Sequence, residues 1–170
     1  MHTEAIDPPG IAWQRVSPKY VTVRLVEWAL ANLAAVLVLS APLVFVLLGW
    51  WRWPALWLAI AVPAITVVVA LWRLVLIPRQ VRAIGYAERD DDLLVRSGIF
   101  FQRTMAVPYG RMQYVDIAVG PVERGLGLCT VKLHTASPGT NARIPGLPAA
   151  EGARLREQLA VRGEARLAGL

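Results

Sequence analysis

LLGWWRWPALWL (residues 47–58) sets Trp50, Trp51 and Trp53 beside Arg52 and Pro54, between two apolar runs. A loop facing water favours polar side chains, because exposed indole rings gain little there and invite association. At a membrane–water boundary the same residues fit: the ring is apolar and its N–H finds a partner among headgroups and water. The stretch therefore reads as an aromatic belt of Trp50, Trp51 and Trp53 on a tight turn between two membrane spans. Pro54 suits the first turn of the second helix.

On either side of the turn the chain is free of charge. Leu30 to Leu48 carries no ionisable side chain, nor does Ala55 to Leu71, and apolar character resumes after Arg73 as far as Ile77. At about 1.5 Å rise per residue, each stretch with its flanks covers the roughly 30 Å of a bilayer's hydrocarbon core. Two helices buried in a soluble core would need wrapping on all sides, and a chain of 170 residues leaves too little for that. A cleaved signal peptide fits poorly, since the first run starts late, is long and is followed at once by another. Pro42 and Pro63 fall inside the runs and are expected to kink the helices.

Flanking charge sets the expected orientation. Arg15, Lys19 and Arg24 precede the first span, Arg79, Arg82 and Arg89 follow the second, and the turn between has only Arg52. The positive-inside bias then predicts a multi-pass protein of the inner (plasma) membrane with both termini cytoplasmic. Glu27 and Arg73 sit near the cytoplasmic ends of the two spans, where they either pair at the membrane edge or snorkel separately into headgroups.

A formal charge of +6 raises the question of nucleic acid. Arginines along the cytoplasmic edge of a membrane protein account for it, since each gains about 1 kcal/mol near an anionic leaflet. No helix-turn-helix, zinc-finger spacing or RNA-binding aromatic motif accompanies the charge, so no nucleic-acid partner is expected. The single cysteine, Cys129, excludes an intrachain disulfide and any multi-cysteine metal site. His2 and His134 have no second ligand at metal-binding spacing, so neither metal nor cofactor is expected.

After Pro78 the texture changes to short alternating segments. Val81 to Arg89 reads as a strand, Asp90, Asp91 and Asp92 as a polar turn, Leu93 to Ser97 as the returning strand, and Gly98 leads into Ile99 to Pro108. Met112 to Val119 sets Val115, Ile117 and Val119 on one face and Tyr114 and Asp116 on the other. Cys129, Val131 and Leu133 alternate with Thr130, Lys132 and His134. SPGTNARIPGLP then reads as a turn-rich exit, and Ala149 to Arg162 as an amphipathic helix with Ala153, Leu155, Leu159 and Ala160 on one stripe and Gly163 at its end.

The expected organisation is an N-terminal cytoplasmic segment (1–24), a two-helix transmembrane hairpin (25–78), an all-β barrel or sandwich capped by a C-terminal helix (79–163) and a tail (164–170). Residues 1 to 12, with Pro8-Pro9-Gly10, and the tail are expected to be loosely ordered.

RMQYVDIAVGPVERGLGLCTVKLHTAS (residues 111–137), following two spans and preceding RIPGL and a final helix, carries a resemblance. Arg111, Gln113, Val115, Asp116 and Ile117, then Gly120, Pro121, Arg124, Gly127 and Leu128, then Thr135 and Ala136, match the pattern of YdbS-like bacterial membrane proteins with a pleckstrin-homology (PH) domain. The resemblance covers residues 15 to 162. It implies a seven-stranded PH-like barrel closed by a helix, no established catalytic activity, and roles suggested in envelope stress and in protein association at the membrane.

The motif also has a purely structural reading. Gly120-Pro121 ends a strand, Val122 to Leu126 makes a short helical turn, Gly127 reverses the chain, and Arg111, Asp116 and Arg124 form a charge cluster tying the turn to its strand. In a functional reading Arg111 and Arg124 bind an acidic group of a partner, with Gln113 beside them. Three functions follow. A non-catalytic module held at the membrane receives a segment of a membrane or cytoplasmic protein, or associates with itself. Alternatively Arg96, Arg103, Arg111 or Lys132 senses an anionic lipid headgroup, although Asp90, Asp91 and Asp92 at the first hairpin would repel phosphate. A membrane-bound hydrolase would need a dyad such as Ser97 with Lys132, and neither G-x-S-x-G nor H-E-x-x-H is present, so no enzyme is expected.

Overall fold

The computed structural model describes residues 11–50, 56–136 and 141–167. Trp51 and Trp53 of the expected belt, Pro54 at the expected helix start, residues 137–140 of the turn-rich SPGTNARIPGLP, residues 1–10 with their Pro8-Pro9-Gly10, and the last three residues lie outside the described set. The chain divides into two units, Thr22–Pro78 and Met1–Val21 together with Arg79–Leu170.

The first unit consists of most of α1 (Tyr20–Leu47) and α2 (Leu56–Arg82). Both are long and apolar enough to cross a membrane, and almost none of their most apolar windows is buried in protein. The polar residues within them close hydrogen bonds on their own helix: Asn32 Nδ2 donates to Trp28 O at 2.8 Å, Ser40 Oγ to Leu37 O at 3.1 Å and Thr66 Oγ1 to Val62 O at 2.9 Å. In lipid a polar group without such a partner would be costly, so back-bonding lets these residues stay in a span. Pro42, Pro63 and Pro78 all lie inside helices, and the second helix continues four residues past Pro78, so that Val81 and Arg82, which the sequence assigned to a strand, are helical.

Ser17 starts α1. Its Oγ accepts from Lys19 N at 3.3 Å, Pro18 takes the first-turn position where no N–H is needed, and Tyr20 N donates to Ser17 O at 3.0 Å. Within the second unit, Ser17 N also donates to Gly146 O at 2.9 Å. Gly146 has φ +69°, and any Cβ there would overlap the Tyr20 side chain, so only glycine fits.

The second unit is two antiparallel sheets and two helices, sandwich-like and without barrel closure. One sheet has the order β1 (Gln14–Arg15), β2 (Gly85–Glu88), β3 (Asp92–Ser97), β4 (Arg103–Pro108); the other has β5 (Met112–Ala118), β6 (Leu128–Thr135), β7 (Ala142–Pro148). The N-terminal segment therefore supplies a strand, pairing Arg15 with Gly85. The alternation read from sequence buries Cys129, Val131 and Leu133, leaves Tyr114 and Asp116 exposed, and joins these core residues to Leu93, Val107, Tyr109, Ile144 and Leu147.

Two readings of the sequence are corrected here. ARIPGLP is strand β7, not an exit loop: it pairs with one neighbour only, and its register shifts opposite Thr130, where Pro145 and Gly146 sit at a bulge and no ladder N–H is required. The closing helix, α4 (Ala149–Leu167), runs through Gly163. Its buried stripe is Gly152, Leu155, Leu159 and Gly163, whereas Ala153 and Ala160 are exposed. A Cβ at Gly152 would collide with Cys129 Sγ, so the glycine is what brings α4 close onto β6.

Candidate functional site

Met112, Gln113, Tyr114 and Val115 line one wall of an open groove of about 450 Å³, and Arg156, Leu159, Ala160 and Gly163 line the other. Successive strand residues point to opposite faces, so a groove touching four in a row runs along the strand's edge. In its sheet β5 pairs only with β6, which leaves that edge open among the described residues. Gln113 is the extra residue at a register shift between Met112 and Tyr114, and such a bulge bends the edge. Tyr114 is held upright by stacking on His134 across the sheet, with ring centroids 4.3 Å apart.

Two polar networks hold the helical wall in place. The Tyr86 hydroxyl lies 2.8 Å from Glu151 Oε1 and 2.6 Å from Gln14 Oε1, and its one proton goes to the carboxylate, the stronger acceptor. Arg154 donates to Glu151 from Nε at 2.9 Å and to Glu88 Oε1 from an Nη at 2.7 Å. At the far end of the helix Arg162 donates to Tyr109 Oη at 3.0 Å, and Tyr109 Oη donates to Arg89 O at 2.9 Å. Hydrogen bonding from Arg154 holds the Glu151 carboxyl below its usual range. Burial, helped by the adjacent Glu151, pushes the Tyr86 hydroxyl upward, and burial does the same at Tyr109. The Cys129 thiol is also pushed up, by burial and then by the charge of Glu123.

The expected cluster of Arg111, Asp116 and Arg124 is not assembled. Arg111 ends a short 3-10 turn (Tyr109–Arg111) before β5, and Arg124 sits in α3 (Pro121–Gly125) beyond the other end of that strand. Asp116 stands opposite Lys132 on β6. Among the described residues no ion pair joins any two of the three. The turn is fixed instead by Glu123, which is buried: it accepts from Gly120 N at 2.8 Å and from Thr130 Oγ1 at 2.8 Å. An acid three residues after a helix N-cap is a sequence signal for this arrangement, masked here because the cap is glycine.

The other sequence candidates are dispersed. Arg96 and Arg103 lie at one end of the four-stranded sheet, while Arg111 lies by the turn whose Tyr109 N donates to Asp91 O at the opposite end. Ser97 and Lys132 are on different sheets. Glu27 pairs with Arg24 at 3.4 Å, one turn earlier on its own helix, and the ion pairs among the described residues do not include Glu27 with Arg73. Trp50, the described member of the belt, is exposed, with its ring 6.0 Å from that of Phe45.

Residues 20–162 match the bacterial PH domain family. The chain is also similar to the UPF0699 transmembrane protein YdbS of Bacillus subtilis (strain 168), at 30% identity over 135 residues, or 78% of this chain and 83% of that protein. No solved structure matches it significantly. The family match runs through the apolar helices and the two-sheet domain alike, and the chain belongs to the bacterial PH domain family as a YdbS-like transmembrane protein.

Proposed function

We propose that the protein is a non-catalytic, membrane-held interaction module whose β5–α4 groove receives an extended segment of another membrane or cytoplasmic protein. The observation that carries this is the open β5 edge facing α4 across a partly apolar groove. Free backbone donors and acceptors on an edge strand pair readily with an added strand, while side pockets supply selectivity. Arg156 is the cationic side chain lining the groove, so a segment with a carboxylate at that position fits. The α1–α2 pair holds the domain at the inner membrane with both termini in the cytoplasm, and confinement to a surface raises the effective concentration of a weak site.

A photo-crosslinking residue at Tyr114, compared with one at exposed Ala153, tests this in cells. Crosslinks from Tyr114 alone, mapping to one segment that as a synthetic peptide slows amide exchange along β5, are expected. Equal labelling from both positions, or a mapped peptide that leaves β5 exchange unchanged, would contradict the reading.

A further inference from the structure

SGIFFQ (residues 97–102) joins β3 to β4 and ends in side chains that nothing in the domain covers: Phe100 is 74% exposed and Phe101 92%. Ile99 beside them is also exposed. The reversal is a built one. Gly98 has φ +103°, and a Cβ there would run into the carbonyl oxygen of Phe101. Exposed aromatic side chains at a hairpin tip add nothing to the core, so their presence calls for another contact.

Strand register shows which end of the sheet this tip extends from. Arg15 pairs with Gly85, and Gly85 pairs with Arg96, so these three residues form one row across β1, β2 and β3. Beyond that row on one side, β3 runs on into the tip. On the same side the last turn of α2, ending at Arg82, enters β2, and β1 leaves toward α1, which begins at Tyr20. The chain therefore leaves the sheet toward α1, and enters it from α2, at the end that bears the tip.

Charge divides the sheet along the same axis. Arg15, Arg96 and Arg103 stand at the tip end, with Arg82 just before it, and the Arg96 guanidinium lies 4.5 Å above the Trp13 ring. Glu88, Asp90, Asp91 and Asp92 gather at the other end, where Arg89 is paired with Asp92 at 3.4 Å. No acidic residue occurs from Leu93 to Pro108.

We propose that Ile99, Phe100 and Phe101 enter the interfacial layer of the bilayer that α1 and α2 cross, with Arg15 and Arg103 on anionic headgroups around them. This rests on the reading of those helices as spans. An apolar tip with a cationic collar matches the layering of a membrane surface, acyl chains beneath acidic headgroups. A second copy of the chain meeting tip to tip would instead bring like charges together. The two Phe side chains would bind a membrane weakly alone, but the helices already hold them there, so the tip acts as a further contact that sets the tilt of the domain.

The test uses the full chain in anionic liposomes, with Cys129→Ala as background and an environment-sensitive fluorophore on a single introduced cysteine: Phe101→Cys at the tip, Asp90→Cys at the acidic end, or Leu37→Cys in the span. Doxyl-labelled lipids serve as quenchers. The expected result is a blue-shifted, strongly quenched probe at positions 101 and 37 and an unquenched, water-like probe at 90. Quenching at 37 with position 101 no more quenched than 90 overturns the tip contact and leaves the spans standing. A blue shift at 101 without lipid quenching also overturns it, by showing that protein covers the tip. Loss of quenching at 37 removes the spans themselves.

Discussion

Leu37 and Val68 on the helix pair are 63% and 66% exposed, whereas Leu93 and Ile144 in the two-sheet domain are fully buried. Side chains of the same kind thus face outward in one region and inward in the other. The difference is solvent. Where lipid surrounds the chain, apolar surface needs no cover and it is the polar atoms of Asn32, Ser40 and Thr66 that must be closed within the helix. Where water surrounds it, apolar side chains interlock and the polar networks at Tyr86 and Tyr109 work at the margin of the core.

The same substitution made in both regions should separate them most. Leu155→Ala empties a fully buried position and is expected to lower the stability of the domain by about 2–5 kcal/mol. Leu37→Ala should leave the unfolding of the domain unchanged. Maleimide labelling of buried Cys129 during urea titration in detergent reads both, because the thiol reacts only when the domain opens. A charge sharpens the contrast from the other side. Leu37→Asp should oppose membrane insertion by roughly 2.5–3.5 kcal/mol, whereas Ala153→Asp on the exposed face of α4 should shift domain stability by no more than about 0.5 kcal/mol. Membrane-inserted yield and the labelling midpoint measure the two effects.

Within the domain, Glu123→Ala strips the partner from Gly120 N and Thr130 Oγ1, and about 1–3 kcal/mol of destabilisation is expected. Arg124→Ala, in the same turn but exposed, should change little, which distinguishes Glu123 from the arginine as the residue fixing this motif. The smallest effect is one of pH. Because the folded domain holds the Glu151 carboxyl below its unfolded value, its contribution is complete above the ordinary carboxylate range. It falls away as pH drops through that range toward the folded value. Glu151→Gln should therefore flatten the acid side of the stability–pH profile, read as labelling midpoints from neutral pH downward.

The solvent of each region was legible from residues alone, because an uncharged run spanning a bilayer and a two-residue alternation are opposite patterns. The strand carrying Val131 and Leu133 followed from that alternation, and the helix carrying Leu155 and Leu159 from their spacing along one helical stripe. What sequence reasoning missed depends on partners distant in the chain. β1 is only two residues long and forms because Gly85 is presented to it. β7 contains two prolines and reads as a loop until its single-sided pairing is known. Gly152 and Gly163 look like weak helix positions, yet both fall on the face α4 buries, where Gly152 gives close approach to Cys129. The charge cluster at Arg111, Asp116 and Arg124 was inferred from nearness in sequence, but an extended strand carries its ends apart, and Glu123, the acid beside Arg124, makes the connection instead.

All of this depends on residues 22–78 having lipid as their solvent. Fractionation of cells making the full chain tests that most directly: after alkaline carbonate washing the protein should stay in the membrane pellet and leave it only in detergent. Recovery as a monodisperse species in the detergent-free soluble fraction would contradict the account.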